Sequence, residues 1–165
     1  MVTLQDVQQF LQLASKKGIP LYLDGGWGVD ALLGRQTREH NDVDLFAEGA
    51  QYASFVQEIK SLGFAELLTE YTTEDHTVWQ DAAGRVIDLH RFCKKDEKTI
   101  LYDGMEFPST VFSGKGSVGG MEVSCINARD QVAFHLGYKH DEKDVQDVLL
   151  LCKTFGIPVP EEYRD

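Results

Sequence analysis

Two aspartates separated by a single residue, Asp42 and Asp44, form the pattern with the clearest chemical meaning in this chain. Residues two apart on a β-strand point to the same face of the sheet, so the two carboxylates should lie side by side. Like charges held that close repel each other unless a cation lies between them, and all-oxygen ligation suits Mg²⁺ bound with a phosphate-bearing substrate. The pattern therefore predicts a magnesium site at Asp42 and Asp44.

A glycine pair, Gly25-Gly26, precedes Asp42 by about sixteen positions. It follows a predicted buried strand over residues 19–23 and opens a short predicted helix that Gly34 ends. A strand-to-helix turn without Cβ atoms offers free backbone N–H groups, and the start of a helix attracts anions. A Gly-Gly turn alone is more often only a turn. Followed by a strand with two carboxylates, it favours nucleotidyl transfer.

Asp88 is the natural third carboxylate. It lies in the middle of the predicted strand Val86-Ile87-Asp88-Leu89-His90, where an acid among apolar neighbours requires a compensating reason. In nucleotidyl transfer a third acid can bind the metal ion or take the proton of the attacking hydroxyl. The alternative is an aspartate on an edge strand that simply faces water.

Five further residues are weaker candidates. Arg38 and His40, just before the aspartate pair, can contact phosphate, and Lys143 can bind a triphosphate as a point charge. The alternative is ordinary loop polarity for the first two residues and a solvated lysine for the third. His135 and Tyr138 are as consistent with packing as with substrate contacts.

Composition narrows the class of protein. The chain has 165 residues and a net charge of −11. Its length predicts one domain, or one domain with a small appended subdomain. Because nucleic-acid-binding proteins usually present a basic face and the lysines here are scattered, we expect no nucleic-acid partner. An acidic surface suits a cationic small molecule, although solvated surface carboxylates are the simpler explanation.

Neither membrane nor export signals are apparent. No segment approaches the roughly 20 apolar residues that a membrane helix needs, and residues 1–17 have the pattern of an amphipathic helix. Cys93, Cys125 and Cys152 are odd in number and far apart, which fits neither a disulfide framework nor a zinc motif. We expect a soluble, cytoplasmic protein with no membrane partner. A homodimer is left open.

The predicted elements follow the order α–β–α–β–α–β–β–(β)–α–α, an α/β or α+β domain. We place a core in residues 1–125 and a C-terminal helical part in residues 126–165, which can also form one continuous domain. Residues 93–120 are predicted to be irregular. Within them, Ser113-Gly114-Lys115-Gly116-Ser117 lacks the spacing of a phosphate-binding P-loop and is interpreted as a flexible loop.

Three blocks of sequence resemble the signature of small antibiotic nucleotidyltransferases of the DNA polymerase β-like superfamily. They are Leu23 to Asp30, Gly34-Arg35 and Thr37 to Asp44. The likeness is strongest to the short lincosamide nucleotidyltransferases, followed by the aminoglycoside 2''-nucleotidyltransferases. With the lincosamide group it continues through shorter pieces, namely Ile87 to His90, His135 to Tyr138 and Glu142 to Asp144. It therefore covers most of the chain.

The resemblance implies a mixed α+β fold, with a mixed sheet flanked by helices and a small C-terminal helical part that closes the acceptor site. It also implies Mg²⁺-dependent transfer of AMP from ATP to an antibiotic hydroxyl, with release of pyrophosphate. By matching position, Asp42 and Asp44 would hold Mg²⁺ and the triphosphate. Gly25, Gly26 and Trp27 would form the phosphate-binding turn. Asp88 would be the general base and a third metal ligand.

Other functions remain open at this point. The acceptor can be an aminoglycoside, a polycation for which the carboxylates of Glu66, Glu70, Glu74 and Asp75 are available. The chain can also be a non-catalytic nucleotide-binding module or a toxin–antitoxin component, although the presence of all three aspartates argues against a degenerate site. Transfer onto a protein or tRNA is disfavoured because no basic patch is apparent.

Overall fold

The computed structural model describes residues 1–164, which contain five α-helices and nine β-strands. The helices are α1 (Leu4–Lys16), α2 (Gly25–Leu33), α3 (Gly49–Ser61), α4 (Ala128–Phe134) and α5 (Glu142–Phe155). The strands are β1 (Tyr22–Asp24), β2 (Asp42–Glu48), β3 (Ala65–Leu67), β4 (His76–Gln80), β5 (Val86–Lys94), β6 (Thr99–Tyr102), β7 (Met105–Pro108), β8 (Gly114–Val118) and β9 (Met121–Cys125). Within residues 1–164, no helix combines the length and apolarity needed to cross a bilayer.

The strands form one mixed sheet in the order β3-β4-β5-β2-β1-β9-β8. β2 runs parallel to β5, and β1 runs parallel to β9, whereas β1 and β2 are antiparallel. A hairpin of β6 and β7 extends from the end of β5. The mixed α+β fold expected from the sequence is confirmed.

The two faces of the sheet have different chemistry. Because side chains alternate along a strand, Val43, Leu45 and Ala47 of β2 enter the main apolar core, which also takes in buried residues of α1 and α3. Asp42 and Asp44 therefore lie on the opposite face. Helices α1 and α3 pack on the first face, and the opposite face carries the carboxylates of Asp42 and Asp44.

Each of the longer terminal helices, α1 and α5, begins at a residue that caps it. Thr3 accepts a hydrogen bond from the backbone N–H of Asp6, whose carboxylate accepts from Thr3 in return. Asp141 and Asp144 form the same reciprocal cap at α5, and Gly156 ends α5 with a left-handed φ of 64°. These caps satisfy backbone groups that a helix end leaves unpaired.

The C-terminal helices pack on the core through α2. Val29 of α2 lies in an apolar cluster with Val132 of α4 and with Val148 and Leu151 of α5. Since α2 also contributes Trp27 to the main core, it joins the two clusters. The proposed boundary near residue 125 stays a prediction.

The prediction of irregular structure over residues 93–120 is wrong, since β6, β7 and β8 lie there. Asp103 and Gly104, with φ of 49° and 77°, make the two-residue turn between β6 and β7. The supposed flexible loop is mostly β8. A Cβ on Gly116 would overlap the backbone of Ala31 in α2, so this glycine permits close packing of helix on strand.

Candidate active site

A row of carboxylates crosses three adjacent strands. Asp44 of β2 lies opposite Asp24 of β1 and opposite Asp88 of β5, and Asp42 lies two residues before Asp44 on the same strand. The structure thus brings the three predicted aspartates together and adds Asp24. Asp88 is only 8% exposed, and β5 lies between β4 and β2, so Asp88 is not an edge-strand residue facing water.

The carboxylates are held close enough to perturb one another. Burial, followed by the charges of Asp44 and Asp88, raises the pKa of Asp42 to about 7. Burial and the charges of Asp24 and Asp88 hold the pKa of Asp44 well above its usual range. Removing negative charges from water without a cation favours the protonated acid. A bound cation would relieve this repulsion.

The donor set fits Mg²⁺ as a partial site. Within residues 1–164, no three His, Cys, Asp or Glu side chains already converge as a complete metal-binding group. Mg²⁺ usually takes one or two carboxylates and completes its shell with water and phosphate oxygens, so a partial set of aspartates is the form expected. Asp42 and Asp44 on one strand, with Asp88 opposite Asp44, offer oxygen donors for such a partial site.

Two histidines contact the carboxylate row. The Nε2 atom of His76 lies 2.8 Å from Oδ1 of Asp88, and Nε2 of His90 lies 3.1 Å from Oδ1 of Asp44. Burial lowers the pKa of His90 to about 4. His90 belongs to the predicted strand that contains Asp88, whereas nothing in the sequence indicated His76 as a site residue.

The glycine pair brings the start of α2 against this row. Gly25 has a φ of 57°, and a Cβ there would overlap the Asp44 carboxylate. A Cβ on Gly26 would lie 2.6 Å from Nη2 of Arg38. Both positions therefore require glycine for close approach. Trp27 is only 2% exposed and does not line the cleft beside the glycine pair, so its ring is a core residue in this structure.

His40 lies behind the glycine turn. It is 3% exposed, its Nε2 is 2.5 Å from Oδ2 of Asp30, and its ring packs 4.6 Å from that of Trp27. Arg38 donates to His40 Nδ1, so the imidazole proton lies on Nε2 and is donated to Asp30. His40 thus supports the glycine turn from behind. It does not line the polar cleft that opens between this turn and α5.

A polar cleft of about 330 Å³ opens between the glycine turn and α5. It is lined by Gly25, Gly26, Arg38, Asn41, Asp42, Asp44, His135, Asp141, Lys143, Asp144 and Asp147. The cleft brings the predicted cations Arg38 and Lys143 to the same space as the aspartate pair. Arg38 also forms a two-pronged pair with Asp147, at 2.8 and 3.3 Å. Tyr138 does not line this cleft and donates to Asp144.

A second space, the aromatic cavity, borders the same row. It measures about 230 Å³ and is lined by Asp24, Phe46, His90, Ile100, Tyr102, Phe107, Val111, Phe112, Ile126 and Phe134. The β6–β7 hairpin supplies one wall and α4 supplies Phe134. The segment predicted to be irregular therefore builds an apolar site beside the carboxylates.

Comparison with known proteins identifies the family. The model of the aminoglycoside-2''-adenylyltransferase family matches residues 6–151. The chain belongs to this family. Its members carry out the transfer that the glycine turn and aspartate pair had suggested, and the chain is accordingly an antibiotic nucleotidyltransferase. Family membership argues against a non-catalytic module.

Curated relatives of this adenylyltransferase family carry two kinds of name. A lincosamide resistance protein from Staphylococcus haemolyticus is 26% identical over 151 residues, covering 89% of this chain and 92% of the relative. A 2''-aminoglycoside nucleotidyltransferase from Klebsiella pneumoniae is 27% identical over 168 residues, covering 96% and 90%. The identities are nearly equal, so they do not choose between the two antibiotic classes.

Solved structures of similar proteins support the fold. The lincosamide antibiotic adenylyltransferase LnuA, bound to lincomycin, matches with a TM-score of 0.80 at 24% identity, over 95% of this chain and 99% of LnuA. ANT(2'')-Ia in complex with adenylyl-2''-tobramycin matches with a TM-score of 0.75 at 22% identity, over 93% and 89%. The nucleotidyltransferase fold is therefore shared along nearly the whole chain.

Proposed function

We propose that this antibiotic nucleotidyltransferase transfers AMP from ATP to a hydroxyl of a lincosamide, releases pyrophosphate and thereby inactivates the drug. One observation carries the proposal: the polar cleft and the aromatic cavity both border the row formed by Asp24, Asp44 and Asp88. ATP, the charged nucleotide donor, and an amphipathic drug, the acceptor, would then meet at these carboxylates. Absence of a nucleic-acid partner and possible dimerisation stay predictions.

The polar cleft is the space proposed for the triphosphate. Asp42, Asp44 and Asp88 would hold Mg²⁺. When bound, the metal ion supplies positive charge next to the phosphate oxygens, where charge develops during transfer. Arg38, Lys143 and the backbone N–H groups at the start of α2 would fix the remaining phosphate oxygens.

Asp88 would act as the general base. It would accept the proton of the acceptor hydroxyl as that oxygen forms a bond to the α-phosphorus atom. The bond from this phosphorus to the bridging oxygen then breaks, and pyrophosphate leaves. Most of the acceleration in such a reaction comes from holding the two reactants in line.

The aromatic cavity favours a lincosamide acceptor. Its lining is mostly apolar, and among residues 1–164 Asp24 is the one carboxylate that borders it. Such a surface would bind an acceptor that joins an apolar group to a hydroxyl-bearing sugar, because burying apolar area provides the affinity. A polycation would lose hydration there without gaining ion pairs.

An aminoglycoside acceptor is the second candidate, and the polar cleft favours it. Asp141, Asp144 and Asp147 add carboxylates there, and the family model carries the aminoglycoside name. The acids suggested by the sequence contribute less, since Glu74 and Asp75 both pair with Arg91.

Mass spectrometry of the drug separates these candidates. The protein is incubated with ATP and Mg²⁺ and with lincomycin, clindamycin, kanamycin or tobramycin in parallel. We expect an AMP adduct on the lincosamides that disappears when Mg²⁺ is chelated. An adduct on the aminoglycosides alone would keep the chemistry and replace the acceptor.

A further inference from the structure

We propose that His76 and His90 are positioning residues that orient the carboxylates of Asp88 and Asp44. The inference rests on the proposed function, in which these two carboxylates bind the metal ion. It is drawn from a second row of side chains, adjacent to the carboxylate row on the same face of the sheet.

This second row consists of stacked rings. His76 of β4 lies opposite His90 of β5, and His90 lies opposite Phe46 of β2. The two imidazole rings stack with centroids 4.3 Å apart, and His90 stacks on Phe46 at 4.7 Å. Packing on both sides of His90 restricts its ring to one orientation. Phe46 and His90 lie two residues after Asp44 and Asp88, respectively, so the row of rings is the next row along this face of the sheet. Each imidazole therefore reaches one carboxylate.

The hydrogen bonds have a definite direction around His90. With Mg²⁺ bound, Asp44 would be ionised and could only accept, so Nε2 of His90, 3.1 Å from Oδ1 of Asp44, would carry the proton. Nδ1 of a neutral imidazole is then an acceptor, and the Tyr102 hydroxyl, 2.8 Å away, donates to it. Tyr102 thereby fixes both the tautomer and the plane of the ring that holds Asp44.

His76 has the matching relation to Asp88. Its Nε2 lies 2.8 Å from Oδ1 of Asp88, and its ring is packed between His90 and Tyr71. This contact engages one oxygen of Asp88 and leaves the other for the metal ion or the acceptor hydroxyl. Partners of this kind behind metal-binding carboxylates raise metal affinity and activity by 10- to 100-fold in proteins generally.

Tyr102 also lines the aromatic cavity, so the wall of the proposed acceptor site is joined to Asp44 through two hydrogen bonds. Tyr102→Phe removes a single hydroxyl and keeps the ring that packs on Phe46. Tyr22→Phe is the matched control, because Tyr22 lies in the same aromatic cluster and packs on Phe112.

Two readouts test the inference in the full-length chain. Binding of Mn²⁺ in the presence of ATP is measured by electron paramagnetic resonance, and kcat and KM are measured by pyrophosphate release. For Tyr102→Phe we expect Mn²⁺ affinity and kcat to fall about tenfold or more. KM for ATP should stay within about twofold, because Tyr102 lines the aromatic cavity and not the polar cleft proposed for the triphosphate.

A second pair of variants covers His76. His76→Leu should lower Mn²⁺ affinity and kcat in the same way, and His76→Gln, which can still donate to Asp88, should restore most of both. The inference is overturned if Tyr102→Phe behaves like Tyr22→Phe and His76→Leu behaves like the wild type. If the wild type transfers no nucleotide, the proposed function fails, and the Mn²⁺ affinities alone decide the positioning role.

Discussion

Asp44 and Asp88 face each other across β2 and β5, yet substitutions there should have different consequences. Asp44→Asn removes a metal ligand and should abolish turnover. Asp88→Asn removes the base and should lower kcat by about a hundredfold or more, while ATP still binds because Asp42 and Asp44 remain to hold the metal ion. Nucleotide binding by calorimetry and turnover by pyrophosphate release distinguish the two. Turnover of Asp44→Asn near the wild-type rate would contradict the metal assignment.

The crowded carboxylates also predict how the metal-free protein responds to pH. The pKa of Asp42 is raised from 3.8 to about 7, mainly by burial and then by Asp44 and Asp88. Between these values the folded state binds more protons at Asp42 than the unfolded state, so stability falls as pH rises through about 7. His90, whose pKa is lowered from 6.5 to about 4, acts in the opposite direction below pH 6.5, so the decline should appear between pH 6.5 and 8. Thermal melting should show this decline, and Asp42→Asn should reduce it.

Addition of Mg²⁺ is the control for the pH prediction. The ion should raise the melting temperature more at pH 8 than at pH 5.5, because it competes with protons for the same oxygens. A metal-free melting temperature that rises steadily from pH 6.5 to 8 would contradict the assigned repulsion.

At the scale of elements, the packing of β8 on α2 depends on Gly116. A methyl group there would overlap the Ala31 backbone, which cannot move aside as a side chain does. Gly116→Ala should therefore lower the free energy of unfolding by about 1–3 kcal/mol. Urea denaturation measures the change. Lys115→Ala, an exposed neighbour on the same strand, should have little effect, and equal stability of the two variants would refute the packing role.

Elements with strong local signals could be predicted from the sequence. The amphipathic pattern of residues 1–17 identifies α1, and the alternation around Asp42 and Asp88 identifies β2 and β5. The β6–β7 hairpin was missed although Asp103-Gly104 is a typical two-residue hairpin turn. β8 was missed because its glycines look flexible until the helix that packs on them is known.

Some residues of the candidate site could be predicted from the sequence and others could not. Asp42, Asp44 and Asp88 were identified because two lie on one strand and the third is an acid among apolar residues. Asp24 and His76 join them only through strand pairing: β1 and β4 flank β2 and β5, and no local pattern encodes that register. Long-range pairing, which single-sequence patterns do not contain, accounts for both omissions.

At the scale of the whole molecule, the pair of Arg38 and Asp147 ties α5 to the loop before β2. Asp147 is 2% exposed, and removal of one partner leaves the other charge poorly solvated. Asp147→Ala should lower the free energy of unfolding by about 3 kcal/mol. In a double-mutant cycle, Arg38→Ala should cost much less when Asp147 is already absent. Additive losses in urea denaturation would show that the two elements are not coupled through this pair.

The glycine turn, the carboxylate row and the aromatic cavity together support transfer of the nucleotide through the α-phosphorus atom of ATP. The most direct measurement incubates the protein with lincomycin and ATP labelled at either the α- or the γ-phosphate, and follows the label into the drug. We predict that the α-label appears in lincomycin and that the γ-label is found only in released pyrophosphate. Transfer of the γ-label to lincomycin, or of neither label, would contradict the proposed reaction.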